Sequence, residues 1–358
     1  MSTLFTPFRL GRMSLPNRVV MSPMTRCRAT AGTGLPTPIM AEYYARRAEA
    51  GLLVTEGTAP SADGLGYART PGVYDSQQAE AWRIVTDAVH ARGGHIVVQL
   101  MDCGRMAHPL NQPPGARIRA PSAVAAPGTM WTDQQQHLPY PVPAEMTEAD
   151  IEAAITGFVA AARLAVGVAG FDGVELHGAN GYLIEQFLNT ASNLRTDRWG
   201  GSVENRVRFA VEVATRVSAA IGPDRVGIRL SPYGSSGGMV ADDDTDAVYT
   251  SLAAALSELG LAYLHVVDHS AMGAPPVPQR ISDALRTFRG PYIAAGGFDA
   301  DRAEQVLAAG AADLVAFGRP FLANPDLPAK LRAGTPLNSP DPATFFSPGV
   351  EGYLDSPA

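Results

Sequence analysis

Short apolar, β-branched runs recur along the chain at residues 19–22, 52–56, 95–100, 173–177, 226–230, 263–267, 292–295 and 314–317. Runs of this length and side-chain type predict strands buried on both faces. Between and after them, apolar positions at helical spacing predict helices over 42–50, 77–92, 148–168, 202–220, 243–259, 282–288, 300–309 and 324–332. Thr147 stands as an N-cap before Glu148, while Gly93-Gly94, Gly222-Pro223 and Gly260 fall just past helix ends. Eight strands in strict alternation with helices predict an α/β fold of the (β/α)8 TIM-barrel type better than an open sheet.

Several segments fall outside the alternation. Phe8-Arg9-Leu10, the turn Gly11-Arg12 and Met13-Ser14-Leu15 read as a β-hairpin within a cap over residues 1–17 that plugs the barrel's amino-terminal end. The connections 101–146 and 231–242 each follow a strand, so both are expected at the catalytic face as long βα loops. The Pro-rich tail 335–358 carries Phe345, Phe346 and Tyr353, which are expected to anchor it to the barrel. No linker or composition break divides residues 1–358, which read as one domain.

The chain has 358 residues, 46% of them hydrophobic, and a formal net charge of -7. That charge argues against nucleic acid or an anionic membrane as the main partner. Cys27 and Cys103 lack the number and spacing for disulfides, zinc or an iron–sulfur cluster, which points to a reducing cytoplasm. No apolar run reaches the length of a membrane span, and the amino terminus has no signal-peptide core.

The chemistry concentrates where the fourth strand gives way to a Gly-rich turn, in Val174-Glu175-Leu176-His177-Gly178-Ala179-Asn180-Gly181-Tyr182-Leu183. His177 and Asn180 are placed to donate to one oxygen, with Tyr182 offering a proton nearby. The other strand ends supply Pro23, Met24 and Thr25, then Glu56-Gly57, Gln99 and Arg229. Gly296-Gly297 and Gly318-Arg319 follow the last two strands, where barrels of this kind hold a phosphate. A hydroxyl, an amide and a guanidinium suit the edge of a flat heterocycle with carbonyls and ring nitrogens, and flavin mononucleotide (FMN) meets all these demands.

The chain resembles the Old Yellow Enzyme family of FMN-dependent ene-reductases, and is similar to its bacterial enoate, pentaerythritol tetranitrate and morphinone reductases. The residues that carry the resemblance run in order along most of the chain: Asn17 to Arg26, Val98-Gln99-Leu100, Val174 to Tyr182, Gln186-Phe187-Leu188, Ser192-Asn193, Arg195-Thr196-Asp197, Gly200 to Arg206, Ala316 to Arg319 and Asn324 to Leu327. The resemblance implies that Thr25, Gly57, Gln99 and Arg229 hold the flavin ring, and that Gly296, Gly297, Gly318 and Arg319 hold its phosphate. It implies that His177 and Asn180 bind the activating oxygen, with Tyr67 and Tyr182 lining the cavity. It further implies a ping-pong cycle in which NAD(P)H reduces the flavin and leaves. Hydride then passes from flavin N5 to the β-carbon of an enone, enal, maleimide or nitroalkene, and Tyr182 protonates the α-carbon. Phenolic inhibitors and a monomer or homodimer are expected with it.

Three positions depart from the family pattern: Met101-Asp102 replaces a tryptophan–histidine pair, and Phe346 stands where a tyrosine is common. Met101 and Phe346 as substrate-contacting residues predict a roomier and less polar pocket. Asp102 is expected to bond a neighbouring backbone amide, and Cys103 to be a buried small residue. His95, His108, His137, His265 and His269 show no metal spacing and read as core or surface groups. The alternatives are an FMN-dependent redox-neutral isomerase or desaturase, a flavin-free sugar-phosphate isomerase or aldolase, and a flavin-binding protein without efficient turnover. No strand end carries a lysine for Schiff-base chemistry.

Overall fold

Eight parallel strands close on themselves in the computed structural model, which describes residues 2–355. They are β1 (Val19–Met21), β2 (Leu52–Thr58), β3 (Ile96–Leu100), β4 (Gly173–Gly178), β5 (Val226–Leu230), β6 (Tyr263–Val267), β7 (Tyr292–Ala295) and β8 (Leu314–Phe317). Each pairs with its neighbours in chain order, and β8 returns to β1 through Val315↔Val19 and Phe317↔Met21. The chain is therefore a TIM barrel.

Side-chain alternation along each strand sorts the interior from the outer layer. Val19, Leu53, Val98, Leu176 and Ile228 point outward into the main core shared with the helices. Val20, Val54, Val97, Tyr263, Ile293 and Leu314 form a separate inner cluster, which Leu10, Met13 and Leu15 complete. Those three residues belong to an antiparallel hairpin, Phe8–Leu10 with Met13–Leu15, whose apolar face closes the amino-terminal end.

The surrounding helices are α1 (Pro38–Ala45), α2 (Ser76–His90), α3 (Glu148–Gly167), α4 (Leu183–Leu188), α5 (Val203–Ile221), α6 (Thr245–Ser257), α7 (Gln279–Leu285), α8 (Ala300–Ala308), α9 (Arg319–Ala323) and α10 (Leu327–Ala333). The first starts four residues before the expected 42, because Thr37 and Pro38 form a cap and a pre-set first turn. It ends at Ala45, where the expected helix ran on to 50; there the Arg47 guanidinium binds the carbonyls of Tyr43, Phe321 and Leu322. Helix α7 also starts three residues earlier than expected. Helix α10 starts three residues later, since Asn324 instead bonds Pro320 and Asn338. Helices α4 and α9 were not expected; they are six and five residues long and pack buried apolar side chains beside the strand ends.

The connection after β3 contains structure that its composition does not announce. Arg119–Ala120 pairs with Ala144–Glu145, and Thr129–Thr132 forms a hairpin with Gln136–Pro139. The tail folds across the mouth as a strap. Tyr353 stacks on Tyr43 at 4.0 Å, and Arg26 and Arg28 donate to the carbonyls of Thr344, Phe345, Gly349, Glu351 and Gly352. Phe346 is 59% exposed, so it is no anchor; Tyr353, at 1%, is.

No helix among the described residues is long and apolar enough to cross a membrane. Both cysteines are free and buried, and no group of metal-ligating side chains occurs among those residues.

Candidate active site

A cavity of about 700 Å³ opens at the carboxyl ends of the strands. Around it stand Pro23, Met24 and Thr25 after β1, Gln99 on β3, Met101 beyond it, His177 on β4, and Asn180 and Tyr182 in the following loop. Arg229 on β5, Gly296-Gly297 after β7, Gly318-Arg319 after β8, Tyr67 and Phe346 complete this set. Gly57 is the sequence candidate that does not reach the cavity: a Cβ there would meet the Met101 side chain at 2.4 Å, so Met101 lies over it. His269 does reach the cavity, although its sequence context gave it no role.

Strand register places the polar floor of the cavity. Glu175 sits opposite Gln99 on one side, and His177 sits opposite Arg229 on the other. Arg229 in turn faces His265 on β6. The Gln99 Nε2 donates to Glu175 Oε1 at 2.8 Å, which leaves the amide oxygen of Gln99 as the end free to accept. His265 Nδ1 lies 2.8 Å from Glu175 Oε2. Burial opposes the charge on Glu175, yet His265, Arg229 and Gln99 hold its carboxyl below the ordinary carboxylate range. Glu175 is thus bonded directly to Gln99 and His265, while Arg229 acts on it through space from the cavity floor, its own Nε lacking a partner.

His177 is 3% exposed, and its Nδ1 has no partner. Burial, reinforced by Arg229, His265 and His269, pushes its pKa well below the ordinary histidine value, so the ring is neutral. Its ring lies edge-on to Tyr182, with centroids 4.9 Å apart. The Tyr182 hydroxyl donates to Tyr67 at 2.9 Å, and burial raises the pKa of both phenols, which keeps them protonated. Asn180 adopts φ 61°, and its Oδ1 is buried without a partner.

The turns after β7 and β8 form a cradle. Gly296 (φ 145°) has backbone geometry that favours glycine strongly, and a Cβ there would strike the Asp268 carbonyl at 2.7 Å; Gly297 (φ 66°) follows in the left-handed region. At Gly318 a Cβ would find its nearest neighbours, Met24 and Ser22, at 3.8 Å, so the chain itself leaves that space unfilled. Arg319 supplies positive charge at its edge. An acceptor amide, a guanidinium with an unpartnered Nε, a hydroxyl and a glycine cradle fit a flavin mononucleotide.

The departures from the family pattern are accommodated locally. Asp102 is buried, bonds the Gly104 N–H at 3.0 Å, and is pushed up to about 6 by burial. Burial likewise pushes the Cys103 thiol far above its usual range. Trp199 is buried and donates to Glu148, away from the cavity.

The barrel and its cavity define a class of flavin-binding oxidoreductase. Residues 3–338 match the NADH:flavin oxidoreductase / NADH oxidase family, and the chain belongs to that family, the Old Yellow Enzymes. It is 44% identical to chanoclavine-I aldehyde reductase of Penicillium roqueforti, across 99% of this chain and 96% of the relative. It is 43% identical to a probable flavin mononucleotide-dependent alkene reductase of Leishmania infantum, across 99% and 97%. Among solved structures, morphinone reductase in complex with tetrahydroNAD superimposes with a TM-score of 0.93 at 42% identity, covering 100% of this chain and 98% of that one.

Glu175→Leu strands the Arg229 charge without its counter-charge, and the expected loss of stability in urea unfolding is about 3–5 kcal/mol. An unchanged unfolding midpoint would contradict the charge balance described for the floor.

Proposed function

We propose that this protein is an NAD(P)H-dependent ene-reductase that reduces the activated C=C bond of α,β-unsaturated carbonyl or nitro compounds. The observation that carries the reading is the convergence of neutral His177, Asn180 and protonated Tyr182 on one cavity with the flavin-compatible floor and cradle. Thr25, Gln99 and Arg229 hold the flavin ring, and Gly296, Gly297, Gly318 and Arg319 its phosphate. Gly57 seats Met101. FMN, when bound there, would supply the hydride chemistry, with NAD(P)H as its reductant.

The chain's own residues do the rest. His177 and Asn180 donate to the carbonyl or nitro oxygen, where negative charge grows as the β-carbon is reduced. Because His177 is neutral, it donates without giving up its proton. Tyr182 delivers the proton to the α-carbon once its hydroxyl turns from the Tyr67 oxygen, to which it donates, toward the substrate. Met101, Met106 and Met24 give the cavity a pliable apolar wall, with Phe346 at its rim. That wall suits bulky enones, enals, maleimides or nitroalkenes, and phenols as inhibitors. Free buried cysteines suit a reducing cytoplasm, and the protein works as a monomer or homodimer.

Anaerobic NADPH is expected to bleach the flavin, and 2-cyclohexenone or a nitroalkene to restore its colour. Bleaching without recovery would point instead to the redox-neutral isomerase or desaturase. His177→Ala is expected to slow recovery by about 10²–10³ and to weaken phenol binding while flavin stays bound; wild-type kinetics and phenol affinity would remove His177 from the role. Tyr182→Phe is expected to slow product formation by roughly 10²–10⁴.

Stopped-flow rates of enone reduction are expected to stay level from about pH 8 to 9.5, where the Glu185 carboxyl that accepts from the Gly181 amide, pushed up to about 7 by burial, is already ionised. His177 titrates below that window and Tyr182 above it. A sigmoidal rate change inside the window would contradict these protonation states.

A further inference from the structure

The loop that carries Asn180 has an unusual backbone, and one buried carboxyl secures it. Asn180 (φ 61°) and Gly181 (φ 80°) are consecutive left-handed residues. Asparagine tolerates that conformation better than most residues with a side chain, but two in succession still depend on their surroundings to hold them there. A Cβ on Gly181 would meet the Ser236 carbonyl oxygen at 2.5 Å, which shows how tightly the turn is wedged against the loop after β5.

Glu185, on α4, is 2% exposed. Its Oε2 accepts the Gly181 N–H at 2.6 Å, and its Oε1 accepts the hydroxyls of Ser231 and Tyr249, each at 2.8 Å. The Ser231 hydroxyl oxygen in turn accepts the Asn180 N–H at 2.9 Å. Both amides of the left-handed pair therefore end on one carboxyl, Gly181 directly and Asn180 through Ser231. On the other side of the turn, Gln186 Nε2 donates to the Gly181 carbonyl at 2.7 Å. Neither Glu185 nor Ser231 lines the catalytic cavity; both line a separate pocket of about 10 Å³ behind it, with Tyr249 and Tyr233.

We propose that Glu185 is a positioning residue for the oxygen-binding pair: it holds the Asn180–Gly181 peptides left-handed and so fixes where the Asn180 carboxamide stands relative to His177. The inference rests on the reading of His177 and Asn180 as oxygen donors. Three donors converge on the carboxyl, and an amide in its place cannot accept from all of them with the same geometry.

The test uses the FMN-loaded protein and its Glu185→Gln variant. Hydrogen exchange of the peptide 178–188, read by mass spectrometry without substrate, is expected to quicken by roughly tenfold or more in the variant. Reoxidation of the reduced enzyme by 2-cyclohexenone is expected to slow by about 10- to 100-fold, while reoxidation by ferricyanide, which needs no oxygen pinned, stays at the wild-type rate. In an Asn180→Ala background, the further loss from Glu185→Gln on enone reoxidation is expected to vanish. Should Glu185→Gln fail to fold, Ser231→Ala keeps the carboxyl and removes only the link to Asn180; a several-fold loss with ferricyanide unaffected supports the proposal.

Unchanged exchange together with unchanged enone reoxidation, in the Glu185 variant or in Ser231→Ala as its replacement, would overturn it. So would a loss that persists in full without the Asn180 side chain. If wild type is inert toward every enone and nitroalkene but the variant still loses exchange protection, the clamp stands and the ene-reductase reading falls.

Discussion

A single buried carboxylate, Glu175, organises the interior on which the cavity rests. It has no access to water, so its charge survives only because His265 and Gln99 bond its two oxygens and Arg229 lies nearby. Each partner is fixed in return. Gln99 is oriented with its amide oxygen available, and His265 is held in place by its bond to the carboxylate. The Arg229 guanidinium keeps its charge in a place where burial alone works against it. The electrostatic consequence reaches one layer higher, because Arg229 and His265 are among the groups that keep His177 neutral. The inner layers thus change from apolar at the hairpin end to charge-balanced at the open end.

Above this floor, the walls come from segments far apart in sequence, tied together through arginines. Arg69 joins the loop after β1 at the Cys27 carbonyl, the excursion hairpin at Asp133 and the strap at the Phe346 carbonyl. Arg26 and Arg28 bind the strap through its backbone, which leaves Phe345 and Phe346 to edge the cavity. Fixed backbone contacts at the rim combine with flexible methionine side chains within. Such a site holds its polar donors in place while accepting substrates of different shape.

The sequence made the barrel legible because parallel strands buried on both faces leave uninterrupted β-branched runs, and helices between them keep their period. It also pointed to the residues at strand ends, since a strand's last inward side chain and the following loop must enter the mouth. The small strand pairs between 101 and 146 left no such trace: Arg119–Ala120 and Ala144–Glu145 are two residues long and rely on tertiary contacts. Glu185 was hidden for a related reason. In a short, fully buried helix a glutamate reads as ordinary polar surface until its partners, Gly181, Ser231 and Tyr249, are seen around it. Gly57 shows the converse, a strand-end glycine whose space another side chain takes. His269 lay beyond reach because its loop has no periodicity to aim it.

The floor and cradle fit one flavin, so the most direct measurement is the cofactor content of the purified protein. Heat-denatured protein is expected to release one FMN per chain, with Arg229→Ala releasing much less. A colourless protein that takes up no FMN on reconstitution would contradict the account at its base.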